Sequence, residues 1–478
     1  MRIWQSRLWM TPVFSGRCAP RAMMRQIAGA TQHLIFAGQR TIPITPVKLQ
    51  QMTVTLFGLA IYLFCVHSFK LPLASLGIAV GVLGVLSKAQ DIKLPAPLLF
   101  FIAFLAWCTF TGLASPYKIE VIDNVIDYAK ILLIFFVALN AAKTVAQLVI
   151  FMATWLLMFG LYPVRGTYLN FLSGIGDFGR YGWNFSFSNF NDLAAYSMLA
   201  LAMSAFLLAG QYEKWLRLSA LIGAGCLAIM VVLTQSRGAF IGLVIAFSFM
   251  VIRSRSRTNL IRFGLLAALG IALVAPGAVW ERFSRMKYLF NTETLVDADS
   301  SAEQRYVLLQ VGMAVAKDNL ATGVGLGAYS TAHGEYAEER VEWRNGRGNR
   351  DTHNMYLNLV AETGIPGAIL FMGILVSTLL HAQRTEKVLR SEFPVEAEQL
   401  RILRFGLIAY MIAAIFGTLH RISFLYLYVA VTWCATDIFI KFRASGADRV
   451  GLLPAAASQP MRNGARPGRT RTTLARLR

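Results

Sequence analysis

The run Asp351-Thr352-His353-Asn354-Met355-Tyr356-Leu357 places a histidine at the entry to a helix with Tyr356, Leu357 and Val360 on one side. That helix is broken at Gly364-Ile365-Pro366-Gly367. Arg344, Arg347 and Arg350 stand just upstream. Positive neighbours disfavour imidazolium, so this imidazole would stay neutral and available as a general base. A surface histidine capping an interfacial helix would leave the same pattern. A second group is Thr234-Gln235-Ser236-Arg237-Gly238, a very short turn between two apolar runs. It would hold the Arg237 guanidinium close to a bilayer surface, where its fork suits a phosphate and where it could equally snorkel to headgroups. Arg305 lies near the start of a helix introduced by the capping box Ser300-Ser301-Ala302-Glu303. An arginine there forgoes favourable dipole placement, which points mildly to an anionic partner and fits a solvated arginine as well.

Other patterns carry less. Gly323-Val324-Gly325-Leu326-Gly327 follows no predicted strand, so a turn allowing close backbone approach is a better reading than a dinucleotide loop. Asp297-Ala298-Asp299 has the DxD form used for metals by many glycosyltransferases, yet it also stands before a helix start, where acids are favoured anyway. Cys18, Cys65, Cys108, Cys226 and Cys434 show no metal spacing, and none falls in an outside loop where a disulfide would be expected. The Arg253–Arg257 run and the basic tail lack interleaved aromatics, which favours anionic lipid headgroups over nucleic acid.

The elements that must position these residues are apolar. Of 478 residues, 56% are hydrophobic and 15% charged, against about 25% charged in a soluble domain. Runs of about 20 apolar residues recur along the chain. They predict an all-α polytopic membrane protein of about twelve helices, near 52–69, 70–88, 95–114, 124–141, 145–163, 191–211, 215–234, 237–253, 258–279, 357–383, 401–419 and 422–441. The alternating pattern of a barrel is absent. Around the membrane domain 52–441 lie a basic leader, 1–51, and a basic tail, 442–478; a large, partly helical loop, 280–355, lies within it. In that loop Tyr306, Leu309, Met313 and Ala316, widened by Val311 and Val315, predict one apolar helix face.

The net charge of +21 resolves by topology. With the N-terminus cytoplasmic, inside segments hold thirty Lys and Arg, against six in short outside loops: Lys70, Lys118, Arg165, Arg180, Arg237 and Arg421. Both ends are therefore expected inside. Lys130 falls within a span, and the rest lie in the 280–355 loop. The acid-free start, with Asp91 as the first acidic residue, fits a mitochondrial presequence or a cytoplasmic leader of a bacterial inner-membrane protein.

Taken together these features resemble the O-antigen ligase family. Four pieces match in order: Asn189-Phe190-Asn191-Asp192-Leu193-Ala194 opening a span, Ser236-Arg237-Gly238, the Arg305 helix leading into Gly323–Gly327, and His353-Asn354 with Tyr356-Leu357 through Glu362, Gly364 and Gly367. The resemblance covers roughly 50–441. It implies a GT-C-type membrane glycosyltransferase that is inverting, metal-independent and without a cofactor. Such an enzyme would move O-antigen from undecaprenyl diphosphate to lipid A-core at the periplasmic face of the bacterial inner membrane. By this resemblance His353 takes the catalytic position and Arg237 and Arg305 engage the diphosphate. Arg180, Asn191 and Tyr356 are further substrate-binding candidates. An O-antigen polymerase shares fold and donor; motif order and the late large loop favour the ligase. A protein O-oligosaccharyltransferase would carry a larger C-terminal region. A transporter or flippase would need paired broken helices and midplane charges, for which Asp127 and Lys130 are the hints.

Overall fold

A computed structural model describes residues 51–68, 73–253 except 178, 184, 186 and 188, isolated positions between 258 and 277, 300–340, and 347–451. The leader before residue 51, most of the predicted 258–279 span, Asp297, Asp299, Arg344 and the tail after 451 lie outside the described residues. In chain order the helices are α1 (Val54–His67), α2 (Ala74–Leu86), α3 (Ala96–Gly112), α4 (Lys118–Ala141), α5 (Val145–Leu172), α6 (Phe190–Ala209), α7 (Lys214–Leu233) and α8 (Arg237–Arg253). They continue with α9 (Ser300–Asp318), α10 (Tyr329–Arg340), α11 (Met355–Leu389), α12 (Pro394–Ala413) and α13 (Ser423–Gly451). A 3₁₀ turn, Ala414–Phe416, extends α12. No strand occurs among the described residues.

Six of these helices, α5, α6, α7, α11, α12 with its turn, and α13, are long and apolar enough to cross a membrane. This is the architecture of a multi-pass membrane protein. Helices α1, α2, α3 and the first part of α8 are apolar but shorter. At 14 and 13 residues, α1 and α2 reach only about 20 Å each. They pack backbone to backbone: a Cβ on Gly58 would lie 2.3 Å from the Gly81 nitrogen. Small residues at such a crossing allow the close approach on which helix association in lipid depends. Helix α5 passes through a π turn at Gly160–Val164, where Pro163 withholds a backbone donor. Helix α13 is the axis of the bundle, with Tyr426 through Val431 all fully buried, as expected of a helix that is apolar all round.

Helices α9 and α10 fold over one end of the bundle. Their buried residues Val311, Val315, Ala316, Tyr329 and Ala332 share a small core with Val121 of α4 and Ala361 of α11. The inward face of α9 differs from the predicted one. Leu308, Val311, Val315 and Ala316 are buried, whereas Tyr306 and Met313 are exposed. The helix is turned so that Gly312 meets Leu357 and Tyr329, an approach that a larger side chain would prevent. The first turns of α4 belong to this unit as well: Tyr117 donates to Glu335 at 2.5 Å and Thr331 to Glu120 at 3.3 Å. Asp127 and Lys130 pair with each other at 2.8 Å on an exposed face of α4.

Helix α11 breaks where the Gly364-to-Gly367 signal predicts, with Gly364 at φ 67° and ψ 179°. A break inside a bundle exposes backbone groups that must find partners. Val324 and Gly325 donate to the Ala361 and Glu362 carbonyls, both at 2.9 Å, and Ile365 donates to Leu320 at 2.8 Å. Trp107 Nε1 supplies the Thr363 carbonyl at 2.8 Å. The glycine-rich segment is thus a structural clasp on the break, in keeping with the close-approach reading.

Candidate active site

The turn before α11 is built by its own side chains. Asn354 caps the helix, its Oδ1 accepting from the Tyr356 and Leu357 amides at 3.0 and 3.1 Å. Thr352 Oγ1 accepts from the Asn354 amide at 3.1 Å and donates to the Asn354 carbonyl at 2.9 Å. Asp351 Oδ1 accepts from the Thr352 amide at 2.9 Å and from Asn358 Nδ2 at 3.3 Å. Between these anchors His353 is held at φ 49°, a left-handed conformation uncommon for a residue with a side chain. Backbone strain of this kind, tied down on both sides, is found where a side chain must be aimed.

His353 is half-buried. Burial pushes its imidazole below the ordinary value of 6.5, and the charges of Arg305 and Arg350 act in the same direction against Asp351. The cationic surroundings inferred from sequence are present through Arg350, and Arg305 joins it. Burial leads, and Arg305 reaches the histidine from α9, some fifty residues upstream in the chain. Neither Asp351 nor Glu362 hydrogen-bonds the His353 ring among the described residues; Glu362 is engaged by Arg421.

Arg237 is the first residue of α8, and Gly238 packs on Phe416 of the turn after α12. The strand-like segment before α6 clasps this start. Arg180 Nε donates to the Thr234 carbonyl and Nη2 to Asn191 Oδ1, both at 2.8 Å, while its guanidinium lies 4.8 Å over the Phe190 ring. Gln235, at φ 51°, donates to the Gly179 carbonyl at 2.6 Å. Asn189 caps α6 as the motif suggests, accepting from the Asn191 and Asp192 amides. Tyr356 donates its hydroxyl to the Met411 carbonyl at 2.7 Å, tying α11 to the end of α12. A continuous rim results. It runs from Arg305 and His353 through Tyr356, the α12 end and Phe416 to Arg237, and on through Thr234 to Arg180 and Asn191. Within it Arg180, Asn191 and Tyr356 make protein contacts that hold the turn positions.

Beside this rim lie Glu362, His420 and Arg421, to which the sequence reading gave no site role. Glu362 is fully buried, with Arg421 Nη2 at 2.5 Å and His420 Nε2 at 3.9 Å from its two oxygens. A carboxylate inside the predicted 357–383 span was the available signal, since charge at such depth needs a partner. Arg421 was visible only as one of the six outside basic residues.

Comparison with known proteins places part of this site inside a recognised sequence family match. Residues 222–372 match the sequence model of the O-antigen ligase family. This stretch is similar to an O-antigen ligase domain. It runs from α7 into α11 and so contains Arg237, Arg305, the glycine-rich clasp, His353 and Glu362. The chain also resembles the exopolysaccharide production protein ExoQ of Rhizobium meliloti (strain 1021), at 29% identity over 238 residues. That similarity covers 46% of this chain and 49% of ExoQ, so the chain spans about half the length of the curated relative it matches.

Proposed function

We propose that this O-antigen ligase-family protein transfers a glycan from undecaprenyl diphosphate to a hydroxyl of lipid A-core, at the periplasmic face of the inner membrane. The observation that carries the reading is His353, half-buried and held with a strained backbone in the field of Arg305, inside the matched domain.

The chemistry follows from those residue types. The acceptor oxygen attacks the anomeric carbon as His353 takes its proton, a general-base contribution typically worth about 10²–10⁴-fold. The bond between that carbon and the diphosphate oxygen breaks, and the diphosphate leaves with its electron pair. Arg237 and Arg305 neutralise the charge that develops there. Attack opposite the leaving group inverts the anomeric centre. A glycosyl diphosphate is already activated, so no nucleotide is needed, and Arg237 and Arg305 would take the place of a metal at the leaving group. Arg180 and Asn191 present the turn that carries Arg237, and Tyr356 fixes the start of α11.

A second reading is polymerisation, which would use the same lipid-linked donor; the similar protein ExoQ is named for exopolysaccharide production. Purified protein in lipid nanodiscs, given undecaprenyl-diphosphate glycan with or without lipid A-core, separates the two. Consumption of donor only when lipid A-core is present supports ligation; lengthened donor glycan in its absence assigns the protein as a polymerase.

A further inference from the structure

The turn between α12 and α13 carries an arginine, Arg421, beside the rim. Arg421 projects from this turn with about a third of its side chain exposed, 32%. Its Nη2 is held at 2.5 Å by Oε1 of Glu362, a carboxylate with no exposure at all. The other Glu362 oxygen faces the fully buried His420, whose own carbonyl accepts from Tyr426 and Tyr128 at 2.9 and 3.4 Å. The glycine clasp encloses the same carboxylate, the Gly327 amide donating to it. Glu362 is thus surrounded by Arg421, His420 and the Gly327 amide, and in turn fixes Arg421.

The place of that turn matters. Phe416, just before it, packs on Gly238 beside Arg237, and Gly417 approaches Asp192. On its other side Arg421 lies in the field of Asp351, two residues before His353. Arg421 therefore stands on the rim between the Arg237 helix start and the histidine turn. A buried carboxylate and guanidinium are a weak source of stability, since packed apolar residues of similar volume commonly do as well. A guanidinium oriented from behind by a carboxylate and open in front is instead suited to fork-like contact with phosphate oxygens.

We infer that Arg421, aimed by Glu362, is a third cation of the lipid-diphosphate site, and that Glu362 acts as its positioning residue. This rests on the lipid-diphosphate reading above and adds to it a contact from the other side of the rim. The anionic headgroup would then meet arginines from three separate elements: α8, α9 and the α12–α13 turn. A diphosphate spreads its charge and its oxygens over two phosphoryl groups, so arginines from three separate elements fit it better than they fit a monophosphate.

The test compares equilibrium binding of undecaprenyl diphosphate and undecaprenyl monophosphate to the full-length protein in nanodiscs. The double variant Glu362→Gln/Arg421→Gln removes both charges and leaves no unpaired buried carboxylate. It is expected to bind the diphosphate at least about tenfold more weakly, with a smaller change for the monophosphate. Glu362→Gln alone keeps the cation and loses its aim, and is expected to narrow the preference for diphosphate. Wild-type affinity and preference in the double variant would overturn the role of Arg421; an unchanged preference in Glu362→Gln would overturn the positioning role. If the double variant does not fold, Arg421→Lys decides, because lysine keeps the charge without the fork: a tenfold loss supports the inference and wild-type binding overturns it. A wild-type protein without preference for the diphosphate would remove the underlying reading, and the inference with it.

Discussion

Gly323 lies so close to Glu362 that a Cβ on the glycine would sit 2.2 Å from the Glu362 carbonyl carbon. Its φ of +71° is also one that side chains rarely adopt. Both facts arise from the clasp that satisfies the α11 break. Gly323→Ala is expected to destabilise the protein by at least about 2 kcal/mol, from left-handed strain and the collision together. Gly225→Ala, in a helix interior where nothing lies within 4 Å, is expected to be neutral or stabilising by up to about 1 kcal/mol. Thermal unfolding of the two variants in the same detergent checks the difference.

His353→Asn separates chemistry from backbone. Asparagine tolerates the left-handed conformation recorded at this position, so the Asp351–Asn354 turn should survive. Transfer is expected to fall by at least about 10²-fold with an unchanged unfolding temperature. Turnover near the wild-type rate in the folded variant would remove the general base from the mechanism.

The pH profile carries a sign. A base works in its neutral form, so kcat/KM should climb with pH through the His353 pKa and then level off. Burial and Arg305 push that pKa below 6.5, which places the midpoint of the limb below 6.5 too. Arg305→Gln removes one positive neighbour and should move the midpoint upward. A limb centred above 6.5 in the wild type, or one that Arg305→Gln leaves in place, would contradict the assignment.

The two proposed diphosphate arginines should act on the donor. Arg237→Ala and Arg305→Ala are each expected to lower kcat/KM for the lipid-linked donor by about 10²-fold or more, as loss of a donor to developing charge does elsewhere. Steady-state kinetics on both variants and on their combination measure this. Unchanged kinetics in the double variant would remove the clamp.

Helix starts were the most legible part of the sequence, because their signals are local. Asn189 and Asn354 cap the helices they precede, and the break in α11 falls at its glycine. Polar residues inside helices misled the hydropathy reading. Helix α4 begins at Lys118 and not near 124, since Glu120 serves the contact with α10. Helix α12 begins at Pro394 and not near 401, with Glu396, Gln399 and Arg401 buried in its first turns and Arg404 paired to Glu386 at 2.5 Å. Such residues look like loop until their partners are known. The His353 and Arg237 turns could be picked out because each is contiguous. Glu362 with Arg421 could not, since the partners are 59 residues apart and meet only through packing. The inward face of α9 was misjudged for a related reason: Gly312 sets the contact, and a glycine adds nothing to an apolar pattern.

The most direct test is single-turnover transfer by purified wild-type and His353→Asn protein, with undecaprenyl-diphosphate glycan, lipid A-core and EDTA, read by product mass. Wild type is expected to form lipid A-core carrying the donor glycan and to release undecaprenyl diphosphate, while His353→Asn binds donor yet forms little product. Lengthened donor glycan in place of ligated lipid A-core, loss of activity in EDTA, or equal product from both proteins would contradict that expectation.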